Sequence, residues 1–221
     1  MISLDIEEIT LISLTPFVMM MVYVWLWYIR IAAIGSTLQS CWNLLAGYFL
    51  SLSLSILWVF LLRQAEIEPC FGDVVFLGFI IPLMLFDQRY YLLPDPAVFG
   101  LLWLGIFLAY LGYSPQDLDQ SILGVIFGYS LMIAIYWLGY WRYRREAVGR
   151  GDVKFSAAVG AWIGVESIFN FLFFSALIGL VWAMFTWFKH KNIVKEGIPF
   201  GPSLGISGII FYFIARFMTP Y

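Results

Sequence analysis

The sequence predicts an all-α membrane protein of about eight transmembrane helices, with both termini on the outer, periplasmic side. Three observations carry that prediction. Of the 221 residues, 62% are hydrophobic and only 12% charged, and the mean hydropathy is +0.90; a soluble domain needs far more polar surface. Uncharged runs long enough to cross a bilayer, about 20 residues each, cover 9–29, 31–62, 96–116, 120–141, 167–188 and 197–215. Lysine and arginine also fall on one side of the membrane once two shorter apolar runs are counted as spans, and that bias marks cytoplasmic loops.

The chain starts with the acidic stretch MISLDIEEIT. It lacks the basic start and small-residue cleavage site of a secretory signal, so the first run reads as a retained span. The second run exceeds one span and is expected to turn at the interface near Gly35-Ser36. A third span starting near Cys70 would pass Asp87 after about 20 residues. Pro94 cannot continue a helix, so Asp87 closes this span and Pro94-Asp95 opens the fourth, with Asp95 as an N-terminal cap. The sixth span, the other short one, would run from about Gly149 to about Glu166.

With these eight spans, the inner loops hold Arg30, Arg89, Arg142, Arg144, Arg145, Arg150, Lys154, Lys189, Lys191 and Lys195, and the outer segments hold only Arg63 and Arg216. Removing either short span would put whole basic loops on the wrong side. The Arg142–Arg145 cluster is therefore a topology signal that also suits anionic lipid headgroups. The whole chain reads as one polytopic membrane domain, 1–221, with no separate soluble domain.

Composition also excludes functions. A net charge of -2 leaves no basic footprint for nucleic acid. The two cysteines, Cys41 and Cys70, form no CxxC pair, and His190 is alone between Lys189 and Lys191, so no metal site is readable. Gly112, Gly124, Gly128 and Gly179 are expected to let helices pack closely.

The two short spans place Asp87 and Asp152 just inside the same, cytoplasmic, leaflet. Ionisable groups in a membrane span are costly, which makes them functional candidates. Two carboxylates brought within a few ångströms cannot both ionise cheaply and share a proton. The charged one can then act as general base on water while the protonated one donates to a carbonyl oxygen. Gly149 and Gly151, before Asp152, leave room for another backbone, for example an extended substrate. The helix start at Asp152 and the nearby Lys154 both favour its ionised form. Pro199-Phe200-Gly201-Pro202 is a rigid entry to the last span and a candidate lining of the cleft.

At these residues the chain resembles the type IV prepilin peptidases of the GxGD aspartyl protease class. Asp87 with Pro94-Asp95 matches the first family motif, and Gly149-Arg150-Gly151-Asp152-Val153-Lys154 matches the second. The small-residue stretch Ala157–Gly164 and Pro199-Phe200-Gly201-Pro202 continue the likeness, which covers about residues 75–215. The resemblance implies Asp87 and Asp152 as the catalytic pair. Pro94, Asp95, Gly149, Gly151, Lys154, Pro199, Phe200, Gly201 and Pro202 would shape the site or bind substrate.

It also implies a prepilin or pseudopilin substrate, with a short basic leader and an apolar helix, cut at the cytoplasmic face of the bacterial inner membrane. The link after the first span has no cysteine-rich insert, so the likeness is to the short form, with no metal and no cofactor expected. Two other readings use the same carboxylates. A proton-coupled transporter would show inverted repeats with broken helices, and none is visible. A presenilin-like or signal-peptide-peptidase-like protease would carry Tyr-Asp, where this chain has Phe86-Asp87.

Overall fold

A computed structural model describes residues 71–144, 148–189 and 199–218. The first two apolar runs, both cysteines, His190 and the side of the membrane on which the termini lie fall outside these residues. Every regular element among the described residues is an α-helix: α1 Phe71–Tyr90, α2 Asp95–Tyr110, α3 Leu118–Tyr143, α4 Arg150–Lys189 and α5 Gly201–Met218. The stretches Leu118–Arg142, Arg150–Phe188 and Gly201–Met218 are long and apolar enough to cross a membrane, while Asp95–Tyr110 is apolar but shorter.

Two compact units divide the chain, Met1–Pro82 with Pro220–Tyr221, and Leu83–Thr219. The first contributes only the opening turns of α1 to the described residues. Asp73 lies in the first turn there, and Pro82 stands inside the helix at the boundary of the units. Everything that follows concerns the second unit.

In that unit α2, α3 and α5 all pack on α4. Small residues set the α3–α4 distance. A Cβ placed on Gly124 would run into the Gly160 backbone, and one placed on Gly160 into the Gly124 backbone. On either side of this contact, the Ser121 hydroxyl donates to the Ala161 carbonyl at 2.7 Å and the Ser156 hydroxyl to the Gly128 carbonyl at 3.0 Å. In a lipid-facing protein this is how helices adhere, because close backbone approach and interhelical hydrogen bonds replace the hydrophobic effect. On the α2 side, the fully buried Trp162 donates its indole N–H to the Leu101 carbonyl at 3.0 Å.

Helix α4 is two arms. Gly164 breaks it with φ 72° and ψ 171°, a conformation that L side chains avoid. The chain folds back there: Ile168 lies against both Gly128 and Gly160, and Leu172 returns to the buried Met132, Tyr136 and Val153. The sequence places the end of one span near Glu166 and the start of the next at 167, two residues beyond this break. The connection, however, is a single glycine rather than a loop.

The fourth span is a larger departure. The run 96–116 predicts a helix to 116, but α2 stops at Tyr110, with Leu111 as C-cap and Gly112 at φ 76°. Leu111 and Tyr113 close the end through their N–H groups to the Phe107 and Leu108 carbonyls. Gly112 and Pro115 punctuate a stretch that is uncharged yet not helical.

Candidate active site

Asp87 lies in the last turn of α1, a little over one turn after Pro82. The same face of that helix meets the start of α5. The Met84 side chain lies over Gly205, and the Asp87 carboxylate accepts the Gly201 backbone N–H at 2.9 Å through Oδ2. Asp87 is 6% exposed. Gly201 is needed for this approach, since a Cβ there would meet the Asp87 Cβ at 2.9 Å. The first N–H groups of a helix have no partner within it, and the helix dipole favours a negative charge at that end. Thus α5 presents its N-terminus to a carboxylate from α1.

Asp152 is the third residue of α4. Its carboxylate turns back to the N–H of Gly149, the residue before the helix, in the manner of the acidic half of a capping box. Its charged neighbour is Asp87, which lies within electrostatic range. The two carboxylates therefore share one environment, although they come from helices far apart in sequence.

The residues around them divide between expectation and correction. Pro94, with extended φ and ψ, is the N-cap of α2, and no side chain caps this helix. Asp95 is thus the first helical residue rather than the cap. Its carboxylate instead grips Lys154, whose Nζ lies 2.7 and 2.8 Å from the two carboxylate oxygens. That corrects the role expected of Lys154: its charge is engaged by Asp95. The ammonium also stands 5.7 Å from the centre of the Phe99 ring.

The room left by the two glycines is used by the protein itself. A Cβ on Gly149 would meet Asp152 Oδ2 at 2.9 Å, and one on Gly151 would meet Leu93 Cβ at 3.1 Å. Leu93, buried in the link between α1 and α2, is a site-shaping residue that carries no sequence signal. Tyr136 is another. The Arg150 Nε donates to its hydroxyl at 3.4 Å, with the guanidinium over its ring.

Phe200 caps the entry to α5, taking the Leu204 N–H on its carbonyl at 3.1 Å. It packs on the apolar cluster of Met132, Tyr136 and Val153, together with Val148 and Leu172. Pro202 follows in the first turn, where its missing N–H costs nothing. Pro199 precedes this entry and is half-buried. The Pro199–Pro202 segment thus forms the entry to α5, and Gly201 within it donates its N–H to Asp87. Among the described residues no three His, Cys, Asp or Glu side chains gather where they could hold a metal ion.

Comparison with known proteins supports this reading of the motifs. Residues 74–184 match the model of the type IV leader peptidase family. A prepilin leader peptidase/N-methyltransferase from Dickeya chrysanthemi is 36% identical over 142 residues, covering 62% of this chain and 48% of that protein. Proteins of the same name from Pectobacterium carotovorum subsp. carotovorum and Pseudomonas aeruginosa are each 33% identical. Their matches cover 62% and 59% of this chain, and 49% and 45% of those proteins. The chain thus spans about half the length of the relatives it matches. No solved structure matches it significantly. Across both motifs and the helices that carry them, the chain belongs to the type IV leader peptidase family.

Proposed function

We propose that this protein is an aspartyl endopeptidase of the bacterial inner membrane that removes the basic leader of a prepilin or pseudopilin at the cytoplasmic face. The observation that supports it best is the meeting of Asp87 and Asp152 at two helix N-termini, one oxygen of Asp87 being held by the Gly201 N–H. The relatives bear the name prepilin leader peptidase/N-methyltransferase.

The chemistry follows from the pairing. With one proton between the two carboxylates, the ionised member takes a proton from a water molecule as its oxygen attacks the scissile carbonyl carbon. The protonated member gives its proton to the carbonyl oxygen, forming a neutral tetrahedral diol. The first carboxyl then protonates the amide nitrogen while the C–N bond breaks. A diol proton returns to the other carboxylate, so the pair ends with one proton again. Incubating membranes that contain the chain with a prepilin-like substrate tests the proposal. A single cut between basic leader and apolar helix is expected, and a substrate left whole would refute it.

Gly201→Ala tests how far the site depends on the α5 N-terminus. The added methyl group would push the Asp87 carboxylate off its hydrogen bond. An ångström of misplacement can cost about 100-fold in rate, so cleavage should fall by about that much with the protein still folded in the membrane.

The proposal includes eight spans and outward termini, because the positive-inside bias requires them. In a background with Cys41 and Cys70 replaced by Ser, Gln88→Cys should react with an impermeant maleimide only from the cytoplasmic side. Tyr113→Cys should react only from the outer side. The reverse pattern would turn the site to the periplasm and exclude this function.

A further inference from the structure

Asp95 and Lys154 form an ion pair in a place where stability gains little from one. The two side chains are 54% and 33% exposed, respectively, and pairs so exposed contribute little to folding. The geometry is nonetheless tight. Both carboxylate oxygens lie on one ammonium, which is flanked by the Phe99 ring. The pair joins the first residue of α2 to a residue two positions after Asp152.

A second contact lies beside it. Leu93, two residues before Asp95, fills the space over Gly151, one residue before Asp152. At the other end of the same link, the Tyr91 N–H closes a turn on the Asp87 carbonyl at 2.8 Å, with Tyr91 at φ 53°. The segment from Asp87 to Asp95 is therefore tied to Asp87 at its start and to the Asp152 turn of α4 at its end.

We infer that the Asp95–Lys154 pair is a positioning clamp that holds the Asp87-bearing link against the Asp152-bearing helix start and so sets the spacing of the two carboxylates. The inference rests on the proposed function for its kinetic consequence, but not for its structural one. Asp95 and Lys154 are positioning residues here, because each acts through the turn that carries a carboxylate. A carboxylate that recognised the basic leader would behave differently: its loss would weaken substrate binding and leave turnover unchanged.

Two measurements test the clamp. In the first, Asp95→Lys, Lys154→Asp and the two together are assayed for cleavage. Each single variant should lose about 10-fold to 100-fold in kcat with KM little changed, and the exchanged pair should recover most of the loss. Singles that raise KM alone, or an exchanged pair no better than either single, would overturn the clamp while wild-type cleavage keeps the peptidase reading intact.

The second needs no activity. In a background with Cys41 and Cys70 replaced by Ser, Leu93→Cys with Gly151→Cys should form a disulfide, since the two Cβ positions lie 3.1 Å apart and a shift of a few tenths of an ångström brings them to disulfide spacing. Adding Asp95→Ala should slow that bond several-fold. An unchanged rate would overturn the clamp whether or not the protein cuts a prepilin.

Discussion

Asp152→Asn and Asp87→Asn should each lower cleavage of a prepilin-like substrate by about 1,000-fold or more. Both substitutions keep the size of the side chain, so packing changes little. What changes is proton traffic. An amide cannot accept a proton from water, nor return one to the leaving nitrogen, and general acid–base steps of this kind contribute about 100-fold to 10,000-fold each. In Asp87→Asn the new amide oxygen can still accept the Gly201 N–H, and in Asp152→Asn it can still accept that of Gly149. Both variants should therefore stay in the membrane at wild-type levels and still bind substrate. Measuring single-turnover cleavage together with substrate capture separates the two effects. Loss of capture along with cleavage would mean that the carboxylates hold the fold rather than do the chemistry.

Gly160→Leu is expected to disrupt the second unit altogether. Gly124 and Gly160 touch backbone to backbone, so a leucine has no flexible neighbour to push aside. The helices α3 and α4 would have to separate, breaking the hydrogen bonds of Ser121 to Ala161 and of Ser156 to Gly128. Overpacking a core commonly costs about 1–3 kcal/mol even where side chains can adjust, and here the backbone itself must move. The variant should unfold at much lower temperature or fail to accumulate. Glu166→Gln, at an exposed position beyond the Gly164 bend, serves as the control and should behave as wild type. Normal thermal stability of Gly160→Leu would show that the α3–α4 contact is not as close as described.

How much of this is legible in the sequence depends on whether the signal is local. The helices that carry Asp87 and Asp152 can be anticipated because charge asymmetry calls for one span from near Cys70 past Asp87 and another from about Gly149, although neither run is long and uncharged. Pro94-Asp95 marks the start of α2 because proline has no N–H to lose at a helix entry. The end of α2 falls earlier than the apolar run suggests, because an uncharged loop resembles an uncharged helix until Gly112 and Pro115 are given their weight.

The pairing of Lys154 with Asp95, and the seat of Leu93 on Gly151, are not legible. Both are contacts between residues far apart in the chain, and no spacing rule reports them. The glycines before Asp152 do signal a close approach, and the groups that approach are Leu93 of the link at Gly151 and Asp152's own carboxylate at Gly149. The hold of Gly201 on Asp87 lies hidden for the same reason. A Gly between Phe200 and Pro202 reads as a helix entry, and only the fold shows which carboxylate it faces.

The central claim is that Asp87 and Asp152 work as one unit, and a double-variant cycle tests it most directly. Cleavage of the same substrate is measured for wild type, Asp87→Asn, Asp152→Asn and the double variant. Groups that act as a unit are strongly non-additive, since removing either one already disables the mechanism. The double variant should therefore cut no more slowly than the slower single. Losses that multiply, or either single variant cutting near the wild-type rate, would contradict the paired-carboxylate account.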